Sequence, residues 1–339
     1  MPYHVYINLA AENKLAIYTM DPQTGKLAHQ EDVPLGGGPG PLALDPKRQY
    51  LYVGVRSTSE LVSFRVDPAN GSLTPINTVS LESDPCYLST DRTGRFLLGA
   101  YYRAGMVTVH ALGEDGALGK QVQLVKTAEH AHCIQTDATN RYAFVPHTVP
   151  PNMVAQFLFD QKSGQLTPNK VPKVVPDMPL GPRHFCFHPT KNIVFTSNEQ
   201  GCSASAYRFD PSQGTLSLFQ TVSTLPEGFK GRNTCAQIHI HPTGRFLYVS
   251  NRGHDSIACF AIDPDTSALR AIGQQATEKT PRVFNLDPAG EFLLAAGQDS
   301  GRLATYRIDQ QHGSLEPLEV YTVGERPMWV HIEDFSSGT

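Results

Sequence analysis

Along this chain apolar positions fall into short runs, each closed by turn-forming residues, and no run carries an apolar stripe at helical spacing. RHFCFHP at Arg183–Pro189, QIHIHP at Gln237–Pro242 and RVFNLDP at Arg282–Pro288 are rich in β-branched and aromatic residues and read as strands. A turn and a second run follow each of them. HPTGRFLYVSNRG, from His241, has counterparts in DPKRQYLYVGVR from Asp45, DRTGRFLLGAYY from Asp91, DATNRYAFVPHT from Asp137, HPTKNIVFTSNE from His188 and DPAGEFLLAAGQ from Asp287. The starts are separated by 46, 46, 51, 53 and 46 residues, a period that signals a solenoid, a propeller or an array.

A second signature follows each hairpin: a third run, then Asp or Glu with Gly a few residues on. YTMDPQTGKL, FRVDPANGSL, LGEDGALG, FLFDQKSGQL, YRFDPSQGTL, FAIDPDTSAL and YRIDQQHGSL are the seven copies, the sixth without its Gly. Gly supplies the positive φ of a turn between a third and a fourth strand. The unit is therefore a four-stranded antiparallel sheet, and the pattern predicts an all-β, seven-bladed β-propeller over residues 1–339 as a single domain. HVYINL at the start matches a second strand and RPMWVHIED at the end matches a first. Both chain termini then share the last blade, a C-terminal strand at 327–333 closing on N-terminal strands at 4–35.

Composition excludes some functions. A formal net charge of −4 without a Lys/Arg cluster argues against a nucleic-acid partner. MPYHVYINLAAENK lacks the form of a signal peptide, and no apolar run is long enough to span a membrane. The six cysteines are scattered without a CxxC pair and read as reduced thiols, so a cytoplasmic protein is expected, monomeric or weakly dimeric. No P-loop, GxSxG elbow or dinucleotide fingerprint is present, and His130, His132 and Cys133 make a poor metal set; no metal and no cofactor is expected.

Positions where the repeats disagree point to chemistry. Counted from the turn residue, −5 and +11 fall on one rim of the central channel, because the start of a first strand lies beside the end of a second. Position −5 holds Gly40, Cys86, His132, Arg183, Ala236, Arg282 and Met328; position +11 holds Arg56, Tyr102, Thr148, Glu199, Arg252 and Gln298, with His147 and Asn251 just before. Four arginines on such a rim suit a small anion, since guanidinium grips carboxylate or phosphate by two points. His132 and Glu199 are candidate acid and base, their order left open, with Arg183 and Arg252 beside them as catalytic residues. Arg282, Arg56, Tyr102, His147, Gln298 and Asn285 are candidate substrate contacts. Two longer loops, Thr167–Pro182 and Thr224–Thr234, are expected to wall the mouth, with Lys230 and Arg232 as further anion contacts. His188, His239 and His241, in or next to the repeat's turn, read as turn caps.

YLYVGVR, GPRHFCFHP, the SNE at Ser197–Glu199, IHIHPTGRFLYVSNRG, PRVFNLDPAGEFLLAAGQ and RPMWV together resemble the propeller-type lactonase family, which includes bacterial 6-phosphogluconolactonases and fungal carboxy-cis,cis-muconate cyclases. The resemblance covers essentially the whole chain and implies a metal-free site acting on a small anionic lactone. The family's proposed His, Arg, Glu and Arg carry over onto His132, Arg183, Glu199 and Arg252. PHTVPPNM in the third blade departs from the family pattern. Hydrolysis of a sugar-acid lactone is the first expectation, a muconate cyclase that forms a lactone the second, and a non-catalytic propeller scaffold the third.

Overall fold

The computed structural model describes residues 1–336. Within them, twenty-eight strands form seven antiparallel sheets of four, arranged as a ring of blades. The first six blades are continuous in the chain, at residues 39–80, 87–126, 135–174, 182–223, 234–276 and 281–322, each running from an inner strand to an outer one. The seventh joins the chain ends: Pro327–Glu333 is its inner strand, paired to Tyr3–Leu9 from His4↔Glu333 to Leu9↔Pro327. That seam supplies the seventh blade's inner strand and closes the ring.

The turns form as their residues dictate. Asp91 Oδ1 accepts from the amides of Arg95 and Phe96 at 2.8 and 2.9 Å, and Asp137 repeats this with Arg141 and Tyr142. Where His stands instead, the imidazole does the carboxylate's work: His188 Nδ1 accepts from Thr190 and Lys191 at 3.2 and 3.1 Å, and His241 Nδ1 from Thr243 at 3.2 Å. His239 is no such cap and faces the channel instead. In the sixth of the outer turns, the one without Gly, Ser267 itself adopts the left-handed φ of +61°.

The second strand of a blade is buried along its whole length, as in Phe96–Tyr101 and Ile193–Asn198, because both faces of the sheet are covered by neighbours. The core is accordingly divided into seven apolar clusters, one per blade interface. Phe195 and Ala206 of the fourth blade meet Leu247, Val249 and Phe260 of the fifth, for example, and each such side chain contributes about 1.5–3 kcal/mol by burial. The predicted loop over Thr167–Pro182 is partly strand: Gln165–Val174 extends the outer edge of the third blade, leaving 175–181 as loop.

Two features of the inner strands shape the channel. Several carry an extra residue near their start. Pro182 pairs with Asn198 and His184 with Ser197, so Arg183 is the surplus residue of a bulge; Pro281↔Gly297 and Val283↔Ala296 leave Arg282 likewise. Bulges of this kind turn a side chain out of the strand's alternation. In the third blade the inner strand shrinks to Gln135–Thr136, with a lone bridge between Ala131 and His147, and His132 is held by its own N–H, which donates to the Pro146 carbonyl at 3.0 Å.

The second feature is a plug. Tyr87, His184 and Trp329 come from three blades that do not neighbour one another, and they meet in the channel with ring centroids 5.0 Å (Tyr87–His184), 5.6 Å (Tyr87–Trp329) and 6.3 Å (His184–Trp329) apart. Among the described residues no helix is long and apolar enough to cross a membrane.

Candidate active site at the upper end of the channel

Above the plug lies a narrow pocket bounded by Gly40, Arg56, Cys86, Arg183, Arg282 and Met328, whose floor leaves about 10 Å³, room for one water. Gly40 is required there: a Cβ on it would overlap the Cγ and Cδ of Arg56, which crosses directly over the backbone. Arg56 is tied to Asp84, with Nε 3.1 Å from the carboxylate.

Glu199 sits between two arginines. Its Oε2 is 3.0 Å from Arg183 Nε and its Oε1 is 3.1 Å from Arg252 Nη2, which also donates to the Cys235 carbonyl at 2.9 Å. The contact with Arg183 is electrostatic, since the N–H does not point at the oxygen: Arg183 Nε and Nη1 and Arg252 Nε are buried without a hydrogen bond. Arg183 is 2 % exposed, and burial together with the Arg252 charge pulls its pKa down to about 10. Arg282 has no carboxylate within ion-pairing distance among the described residues, and burial followed by the charges of Arg183, Arg252 and Arg56 holds its pKa well below the ordinary value.

His132 lies against this group. Its Nδ1 is 3.1 Å from Nε2 of His184, and Tyr102 meets its ring edge-on at 5.4 Å. Burial, then the Arg183 charge, holds His132 and His184 well below 6.5, so both imidazoles are neutral at pH 7. Cys86 lines the pocket, but burial pushes its thiol up to about 11, which excludes it as a nucleophile.

The structure thus brings together His132, Arg183, Glu199, Arg252, Arg282, Arg56 and Tyr102 and leaves three predicted contacts elsewhere. His147 is fully buried and turns Nδ1 to the Glu129 carbonyl at 2.8 Å, tying down the loop that carries His132. Gln298 occupies the position of Glu199 in its own blade but lines a separate groove with Asp299, Ser300 and Arg326. Asn285 lies below the plug and donates to the Val330 carbonyl at 3.2 Å. Lys230 and Arg232 are exposed and do not line the pocket. In the fifth blade the residue after Ala236, Gln237, is on the pocket wall, as His184 is after Arg183. His184, Gln237 and Trp329 are pocket residues that the count of positions −5 and +11 does not reach, and GPRH, with two polar residues side by side in an inner strand, is a hint of the first of them in the sequence. No cluster of three or more His, Cys, Asp or Glu side chains able to hold a metal ion occurs among the described residues.

The model of the seven-bladed β-propeller lactonase family matches residues 5–332. The chain belongs to that family. A 6-phosphogluconolactonase of Pectobacterium carotovorum is 36% identical over 329 residues, 97% of this chain and 98% of that protein. A 6-phosphogluconolactonase of Yersinia pestis is 33% identical over 333 residues, 98% of each chain. Among solved structures, a periplasmic gluconolactonase of Pseudomonas aeruginosa superposes on this lactonase fold with a TM-score of 0.90 at 26% identity, covering 98% of this chain and 99% of that one.

Proposed function

We propose that this protein hydrolyses the lactone of a phosphorylated sugar acid, 6-phosphogluconolactone foremost, by His132-assisted attack of water. The observation that carries the reading is uncompensated charge. Arg56, Arg183, Arg252 and Arg282 face only the carboxylates of Asp84 and Glu199, which leaves an excess of two positive charges in a largely desolvated pocket. A phosphate dianion neutralises that excess.

Each group has a place in the reaction. Arg282, without a carboxylate partner, takes the phosphate. His132 Nε2, for which no hydrogen bond occurs among the described residues, accepts a proton from water as its oxygen adds to the ring carbonyl. The open N–H groups of Arg183 receive the negative charge that develops on the carbonyl oxygen, and Glu199 holds Arg183 and Arg252 in position for this. The imidazolium then returns its proton to the ring oxygen as the C–O bond breaks, giving a carboxylic acid and a hydroxyl group; the acid ionises in water. Burial and the neighbouring arginine keep the imidazole neutral at pH 7, with a lone pair free to accept the proton from water. All six cysteines are free thiols, which fits a reducing cytoplasm.

The test is acid release from freshly generated 6-phosphogluconolactone beside unphosphorylated gluconolactone, each against its spontaneous rate, with Arg282→Met alongside. Turnover of the phosphorylated lactone, weakened in the variant, is expected. Equal turnover of both lactones, indifferent to Arg282, overturns the phosphate assignment, and acceleration of neither overturns the lactonase reading.

A further inference from the structure

Beyond the arginines, a line of polar side chains crosses the channel plug, and past its first member, His132, it has no part in the steps above. It runs from His132 through His184 and Gln237 to His239 and the backbone of Phe284, and so spans the third to the sixth blade. We propose that this line is a hydrogen-bond chain of fixed direction that sets the tautomer of His132, leaving the lone pair on Nε2 toward the substrate. The inference rests on the reading of His132 as the base.

The direction follows from which atoms can only give or only take. At the far end His239 packs edge-on against Phe284, ring centroids 5.0 Å apart, and the Phe284 backbone carbonyl is within hydrogen-bonding reach of its ring. A carbonyl only accepts, so His239 donates to it. Its Nε2 is 3.0 Å from Nε2 of Gln237, and an amide nitrogen only donates, so His239 Nε2 carries the lone pair and Nδ1 the proton. That orientation points Gln237 Oε1 away from His239. Gln237 Oε1 and Nδ1 of the adjoining His184 are both buried without a partner, and one hydrogen bond between them satisfies both. His184 therefore carries its proton on Nδ1 and, being neutral, accepts at Nε2. His132 Nδ1 lies 3.1 Å from that nitrogen and must be the donor. His132 is then protonated on Nδ1 and bare on Nε2.

Reversing any link reverses all of them. Without the Phe284 carbonyl at its end, the chain could run the other way, with a proton on His132 Nε2 where water must give one up. His184, Gln237 and His239 are thus positioning residues: none touches the reacting atoms, and together they decide which face of His132 is basic, as outer hydrogen-bond partners do for metal-bound histidines. They also account for polar groups at the heart of an aromatic plug.

The experiment is nitrogen NMR of protein labelled with ¹⁵N-histidine, without substrate, the His132 signals being assigned by their loss in His132→Gln. In the wild type, a proton on Nδ1 and a bare Nε2 are expected for His132. Gln237→Leu removes the acceptor of His184; the His132 signals should shift toward a mixture of tautomers, and kcat should fall about 10- to 100-fold with KM little changed. Gln237→Glu keeps an oxygen facing His184 and should keep the wild-type tautomer. A proton on Nε2 in the wild type, or an unmoved tautomer in Gln237→Leu, overturns the chain whatever the turnover. The expected spectrum in a protein that turns over no lactone upholds the chain and overturns the lactonase reading alone.

Discussion

The two ends of the channel are built from the same inner strands, and they could hardly be used more differently. Below the plug lies the roomier chamber, about 350 Å³, lined by Ser89, Thr90, Gln135, His239, Asn285 and His331. Most of its polar groups are already committed to holding one inner strand to the next. Ser89 donates to the Ile134 carbonyl at 2.7 Å, Thr90 to Leu44 at 3.1 Å, Gln135 to Phe185 at 3.1 Å and Asn285 to Val330 at 3.2 Å. Above the plug the pocket floor holds about 10 Å³, yet guanidinium N–H groups stand unbonded and positive charge exceeds negative. What distinguishes the candidate site is hydrogen-bonding capacity and charge left open, not room. The bulges at Arg183 and Arg282 make the difference, since a residue outside the ladder is free to face a ligand.

The comparison is broken most severely at Glu199. Glu199→Gln leaves Arg183 and Arg252 buried without a counter-charge, so lactone turnover should fall by about 10³-fold or more, and the unfolding free energy should drop by about 3–5 kcal/mol. Steady-state assay and urea denaturation measure the two effects; intact turnover would refute the catalytic role of the cluster. Arg282→Met sharpens the contrast in the opposite sense. Removing a cation without a partner should raise the melting temperature, while the loss of a charge-assisted contact of about 1.5–3 kcal/mol raises KM for a phosphorylated lactone about 10- to 100-fold.

Below the plug stability is the quantity to follow, although His239 also anchors the hydrogen-bond chain to His132. His239 titrates at about 4 in the fold, against an ordinary 6.5, because burial disfavours its charged form. The unfolded chain therefore takes up the proton first, so stability is full above pH 6.5 and falls as the pH drops toward 4, by about 3 kcal/mol from this group. His239→Asn should flatten that part of a pH series of urea midpoints; an unchanged slope would contradict the assignment. The smallest effect is expected for Asn285→Ala, which removes one strand-bridging hydrogen bond: about 1 kcal/mol of stability and lactone kinetics within about twofold of wild type. A larger loss of activity would mean that the lower chamber takes part in catalysis after all.

Much of the fold is legible before folding. A turn needs its Asp or His and its Gly at set positions whatever surrounds it, so the repeats announce themselves, and the count of seven and the seam between chain ends follow. The rim arithmetic that collects Arg56, Arg183, Glu199, Arg252 and Arg282 works for the same reason. It fails where its premise of strict alternation fails. Gln237, one place past the counted Ala236, reaches the wall as His184 does beside Arg183, because the bulge in these inner strands brings two successive residues to the channel. His147 sits one residue before the count, in the blade whose inner strand has dwindled to Gln135–Thr136, and its ring turns to the Glu129 carbonyl. Asn285 lies on the right strand but below a plug made by residues from three separate blades.

By itself, then, the sequence determines the blade, the number of blades, their closure and the belt of arginines, because these depend on residues a few positions apart, repeated at a steady interval. The tertiary structure alone decides which arginine keeps its charge open, which histidines meet, and where the channel is sealed. Asp84 neutralises Arg56 and Glu199 is shared by Arg183 and Arg252, while Arg282 meets no carboxylate; His132 finds His184 from the next blade. Glu199 and Arg252, like His132 and His184, lie more than a whole repeat apart in the chain and come within about 3 Å only when neighbouring blades close into the ring. A pairing that depends on closure leaves no periodic trace in the residues that make it.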